Sequence, residues 1–186
     1  LVLATNFVAS DWLMTLDPEF ASSGFGLQVI FFDVCGALAA MILLRLAGGP
    51  PRHTGVLGGL LLTLLLLWAY IQFMPFLIIW SGNLPGSVGW YLARRGTGWV
   101  AAIVIASLLG GAPLFALFAP QVRESRRWLG LCAAAVLVGK AIEFCWLALP
   151  GRGPLALLAL LLALAGLGCL TLASLLRAAR LAEARL

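Results

Sequence analysis

The chain has 186 residues, 63% of them hydrophobic and only 10% charged, which excludes a soluble domain, a nucleic-acid-binding module and a disordered tail. A net charge of +5 would suggest nucleic acid in a polar chain, but here the basic residues stand mostly at the ends of apolar runs, as membrane topology requires. The solvent these residues suit is lipid.

Taken in chain order, residues 1–24 carry Asp11, Asp17 and Glu19 with no basic neighbour and read as an interfacial segment ahead of the first helix. A hydrocarbon core of about 30 Å needs about 20 apolar residues in a helix. The first stretch of that length is 25–46, with Asp33 inside it, ended by Gly48-Gly49-Pro50-Pro51. His53, the one histidine, follows in the next loop, where a lone exposed residue is a poor haem ligand. The second stretch, 56–80, carries Tyr70 and Gln72 and ends at Gly82-Asn83-Leu84-Pro85-Gly86. Residues 81–98 are long for a plain hairpin. The third stretch, 99–118, stops at Pro120 and a charged cluster, and the fourth, 129–149, contains Lys140 and Glu143 before Pro150-Gly151-Arg152-Gly153-Pro154. The fifth, 155–176, is free of charge, with Ala165, Cys169 and Ala173 as a small-residue stripe, and reads foremost as a membrane anchor. A tail, 177–186, closes the chain. The expected fold is therefore an all-α integral membrane protein of about five transmembrane helices forming a single domain.

Arginine placement sets the expected direction, because Lys and Arg are retained on the cytoplasmic side. An N-terminus outside and a cytoplasmic C-terminus put Arg45, Arg52, Arg123, Arg126, Arg127, Arg177, Arg180 and Arg185 inside, and leave only Arg94, Arg95 and Arg152 outside.

Ionisable groups in hydrocarbon are costly and normally face a protein interior or a wet cavity. Asp33, Lys140 and Glu143 are the ones within the apolar stretches, and with Gln72 they fall at about 9 to 14 Å from the outer helix ends at 1.5 Å per residue. Lys140 and Glu143 stand at i and i+3, close enough to pair and neutralise each other. Two readings of this layer stay open: polar glue between helices, or a proton path through part of the membrane using Asp33, Tyr70, Gln72, Lys140 and Glu143. A neighbouring subunit is a further source of a partner for Asp33. On the outer side, Trp12, Trp80, Trp90, Tyr91 and Trp99 fit an aromatic belt. With Asn83 and the out-of-place Arg94 and Arg95, they also fit a docking surface for an extracytoplasmic partner.

The cysteines at 35, 132, 145 and 169 lack CxxC or metal spacing and read as apolar packing residues, so no metal site is expected. No phosphate loop, Ser/His/Asp set or nucleophile with a base supports a self-contained active site. With no initiator Met and no signal peptide, the chain reads as a processed product or a fragment.

Two runs are less generic. Ser10-Asp11-Trp12-Leu13-Met14-Thr15-Leu16-Asp17-Pro18 resembles a segment of a membrane subunit of bacterial alternative complex III. In the same order and separation as that subunit's "WAY…IW…N-[IL]-P…WY" signature come Trp68-Ala69-Tyr70, Leu77-Ile78-Ile79-Trp80, Gly82-Asn83-Leu84-Pro85 and Trp90-Tyr91-Leu92. Lys140, Glu143, Trp146 and Pro150 are similar to a further segment, with Glu143 matching its acid. The family resembled is the F subunit, a polysulfide-reductase-like (NrfD-like) membrane subunit of quinol:cytochrome c oxidoreductase. The likeness covers nearly all of this sequence but only the C-terminal half of the usual family member. Departures are Pro75 in place of Gln, Gly86 and Ser87 in place of paired acids, and Gly55 and Val56 in place of His-Asp. Pro75 should kink its helix and free a carbonyl near Tyr70 to Ile71.

The resemblance implies a respiratory subunit of the bacterial inner membrane, structural and a candidate for proton transfer, non-catalytic by itself and not an electron carrier. It implies no cofactor bound by this chain, with haem and iron–sulfur clusters in partner subunits and quinol nearby. The implied partners are the larger NrfD-like membrane subunit, an iron–sulfur subunit, cytochrome c subunits and lipid. A stand-alone small transporter or an assembly factor is the alternative, although no internal repeat supports transport.

Overall fold

The computed structural model describes residues 24–48, 53–82, 85–92 and 94–149, with isolated positions before 24 and between 155 and 168. The chain divides into two compact units, Leu1–Ala148 and Leu149–Leu186. In the second unit, the isolated positions described from 155 to 168 are helical. The expected fifth span over 155–176, the stripe through Cys169 and Ala173, and the tail lie largely or wholly outside the described residues.

In the first unit every regular element is a helix, and no strand occurs among the described residues. α1 spans Phe25–Ala47 and α2 spans Thr54–Gly82. A short α3 follows at Pro85–Leu92, then α4 at Thr97–Ala116, a single-turn α5 at Pro120–Glu124, and α6 at Arg126–Ala148. Helices α1, α2, α4 and α6 are long and apolar enough to cross a membrane. The protein is thus a multi-pass membrane protein.

Local chemistry explains the boundaries. α3 and α5 both begin on proline, whose missing N–H and fixed φ suit the first helical position. α3 lies within residues 81–98, which the sequence marks as long for a plain hairpin; Val88, Trp90 and Tyr91 give this eight-residue helix an apolar side to bury. α4 ends before Leu117 and Phe118, which continue as a turn four residues beyond Pro113. α2 runs as one helix through Pro75, and at 29 residues it is about 43 Å long.

Two helix C-termini are closed by arginines from elsewhere in the chain. The Arg126 guanidinium donates to the Leu46 carbonyl at the end of α1, and Arg94 donates to the Trp146 and Leu147 carbonyls at the end of α6. Such carbonyls have no intrahelical partner and lie at the negative end of the helix dipole, so a cation is favoured there.

The four long helices alternate in direction. Phe25, Gly82, Thr97 and Ala148 gather at one end of the bundle, called the Phe25 end below; Ala47, Thr54, Ala116 and Arg126 mark the other. α6 is the common neighbour, packing on α1, α4 and α2. Inward residues recur every three or four positions: Cys35, Ala39, Ile42 and Leu46 on α1, Leu61, Leu65 and Trp68 on α2, and Leu129, Cys132, Val136 on α6. They form one dry cluster with Leu114 and Leu117. A smaller cluster of Phe25, Val29, Trp90 and Trp146 sits at the Phe25 end.

Glycines set the closest helix approaches. A Cβ at Gly139 on α6 would lie 2.9 Å from the Leu109 Cβ on α4, and one at Gly110 on α4 would lie 2.7 Å from the Trp68 ring. Gly110→Ala should therefore cost about 1–3 kcal/mol through overpacking. Gly111→Ala, whose Cβ would meet nothing within 4 Å, should be neutral or slightly stabilising. Denaturant unfolding of the two variants in detergent reads the contrast.

Candidate functional site

The faces that carry the dry cluster continue toward the Phe25 end, and there they turn polar. On α2 the row 61, 65, 68 leads to Gln72; on α6 the row 129, 132, 136 leads to Lys140 and Glu143. The three side chains meet beneath Gln28 of α1.

Glu143 is the centre. Its Oε2 accepts a hydrogen bond from Lys140 Nζ at 2.8 Å, and both side chains are at least 95% buried. Its Oε1 accepts from the Trp68 indole N–H at 3.2 Å and from the Gln72 amide. Gln28 in turn donates to the Gln72 carbonyl oxygen, which extends the chain to within one turn of the start of α1. The Lys140 ammonium lies 3.6 Å from the centroid of the Trp68 ring and 5.5 Å from that of Phe32. Both distances suit cation–π attraction, which strengthens where water is excluded. Trp68 thus serves the pair twice, through its N–H toward the anion and its π face toward the cation. Nearby, the Cys35 thiol donates to the Leu64 carbonyl at 3.4 Å.

Asp33 and Tyr70 do not join this group. Tyr70 is exposed on the outside of the bundle. Asp33, although at similar depth, is exposed on the outer side of α1 and makes no hydrogen bond or ion pair with the described residues. Position 33 stands about 100° around the helix from the inward-facing Phe32.

The aromatic residues divide in the same way. Trp90 is buried, packs edge-to-face on Trp146 at 5.2 Å between ring centroids, and meets Tyr91 at 4.9 Å. Arg94 is also buried, its guanidinium 3.7 Å above the Trp90 ring, and it donates to the Trp90, Trp146 and Leu147 carbonyls. Burial pushes the Tyr91 phenol above its ordinary value, against the lowering pull of Arg94. Trp80 and Arg95, by contrast, are exposed. Trp12 and Asn83 lie outside the described residues. The buried Trp146 indole N–H has no hydrogen-bond partner among the described residues.

Sequence reasoning overlooked Gln28 and the role of Trp68 in the pair. A signal for the first existed: Gln28 and Gln72 are the only side-chain amides in the four long helices. An amide in hydrocarbon requires a partner, and each is the natural one for the other. Nothing in the spacing marks Trp68 as a ligand of Glu143.

No protein-family model matches the chain, and no curated protein matches it. The chemistry therefore rests on its own geometry. The Lys140–Glu143 pair is neutral overall and saturated on both carboxylate oxygens, which suits holding helices together better than donating or abstracting protons from a substrate.

Removing one partner leaves a buried charge without compensation. Lys140→Met should destabilise the bundle by about 3–5 kcal/mol. The double variant Lys140→Met/Glu143→Gln, which keeps an acceptor for Trp68 and Gln72, should recover most of that loss. Equal unfolding midpoints for the single and double variants would show that the charges do not depend on each other.

Proposed function

We propose that this chain is a structural membrane subunit of a respiratory assembly that oxidises quinol and reduces a cytochrome c. The reading starts from the resemblance carried by residues 10–18 and 68–92. The observation that carries it further is where the residues of that signature lie. Trp68 is the shared ligand of the buried pair, and Trp90 and Tyr91 form the aromatic cluster on which Arg94 and Trp146 pack. The signature therefore falls on the side chains that set the bundle's internal geometry.

In this reading the chain carries no electrons and binds no redox group. Haem and iron–sulfur clusters belong to partner subunits, and the chain supplies a rigid wall within the bacterial inner membrane. Arg45, Arg123, Arg126 and Arg127 gather at the Ala47 end, which faces the cytoplasm by the positive-inside rule. The exposed Trp80 and Arg95 stand at the opposite end, where cytochrome subunits would dock. Gentle solubilisation of the native membrane, isolation of this chain, mass spectrometry and haem absorbance test the proposal. Multihaem cytochrome and iron–sulfur subunits should come with it. A colourless, solitary protein would overturn the reading in favour of a transporter or an assembly factor.

The Gln28–Gln72–Glu143 chain supports a second reading, in which the subunit also conducts protons between the Phe25 end and Glu143. Gln28→Leu breaks that chain without touching the ion pair. It should lower the number of protons moved per electron in the intact complex while leaving subunit content unchanged; an unaltered ratio removes the proton role.

A further inference from the structure

Asp33 presents a problem that the described residues do not solve. It lies eight residues into α1, about 12 Å from the Phe25 end, and its side chain is exposed on the outside of the bundle. Among the described residues it has no hydrogen bond and no ion pair. A carboxyl in that position faces hydrocarbon, where an ionisable side chain needs a partner. The chain's own cations are committed or misplaced. Lys140 is held by Glu143, and Arg94 by three carbonyls. Arg45, Arg123, Arg126 and Arg127 belong to the Ala47 end, Arg95 is exposed at the Phe25 end and forms no ion pair with Asp33, and residues 1–24 contain no Lys or Arg. The apolar stretch 155–176 contains none either, Arg152 and Arg177 lying outside its two ends in sequence. Beside Asp33 in sequence and one turn on, Val34, Ala37 and Met41 of α1, with Leu60 and Leu64 of α2, line an apolar groove of about 400 Å³.

We propose that this groove seats a transmembrane helix of a different polypeptide, whose Lys, Arg or His side chain pairs with Asp33 in the membrane. The occupant must be a helix, because only a helix satisfies its own backbone groups in lipid. Charge complementarity makes it basic. It also makes a second copy of this chain unsuitable, since that would set one Asp33 against another. Ala37, a small residue of the groove lining, permits a close approach on α1. The inference deepens the assembly reading, in that both require a second membrane chain, but the two can fail separately.

The test places a photo-crosslinking amino acid at Met41, which lines the groove about two turns along α1 from Asp33, in the full chain in its native membrane. Irradiation should yield an adduct with one other polypeptide, and sequencing of the crosslinked peptide should show a Lys, Arg or His inside an apolar run. Asp33→Asn should lower the yield about tenfold, the weight of one charge-assisted hydrogen bond. Because Asp33 makes no hydrogen bond or ion pair among the described residues, the variant should keep the parent's thermal unfolding midpoint in detergent. Crosslinks to lipid only, to a second copy, to residues 149–186, or to a helix without a basic residue would each overturn the proposal, as would a yield indifferent to Asp33→Asn. A basic helix from a complex without haem would preserve this inference and defeat the respiratory one. Co-purified haem subunits with lipid-only crosslinks would do the reverse.

Discussion

Glu143 is a carboxylate removed from water in the middle of an apolar bundle, and the arrangement of the other helices follows from satisfying it. Lys140, one turn earlier, supplies the opposite charge. That alone leaves Oε1 open, and α2 fills it with Trp68 and Gln72. The pair then constrains α4, since the Trp68 ring fits only if the residue facing it has no side chain, and that residue is Gly110. It also constrains α1, through Phe32 beside the ammonium and Gln28 behind Gln72. One buried ion pair thus fixes the rotation of all four long helices about their axes. Half-satisfied, such a network would be worse than an apolar core; complete, it rewards a single arrangement.

The same demand explains the Phe25 end. An arginine there is unexpected if that end faces outward, because basic residues are retained on the other side. Arg94 is accommodated because it is turned inward, stacked on Trp90 and spent on the carbonyls at the end of α6. It acts as a helix cap supplied by a neighbouring segment. Arg126 does the same for α1 at the opposite end. In lipid, where stray backbone carbonyls find no water, these caps do the work that solvent does for a soluble helix.

Inside and outside of the bundle therefore carry different kinds of polarity. Within, the polar atoms of Lys140, Glu143, Gln72 and Gln28 answer one another. Outside, Asp33, Tyr70, Trp80 and Arg95 face away from the bundle interior. Asp33 on that outer side has no ion pair among the described residues, a costly state for a carboxylate in hydrocarbon.

By itself the sequence determined the all-helical class, the position of four apolar spans, and the shared depth of Gln72, Lys140 and Glu143. Those properties depend on composition, length and count along the chain, which can be read residue by residue. The sequence could also mark Lys140 and Glu143 as a pair, because i and i+3 always share a helix face. What it could not decide is which way each helix turns. Helices that are apolar on every side have no stripe to reveal their inner face. Nothing along the chain therefore separates Gln28, which the sequence reading passed over, from Asp33; packing against α2 turns Gln28 toward Gln72 and leaves Asp33 out. The direction of Arg94 was equally hidden, because two of its carbonyl partners lie more than fifty residues away. Only the tertiary structure brings such groups together.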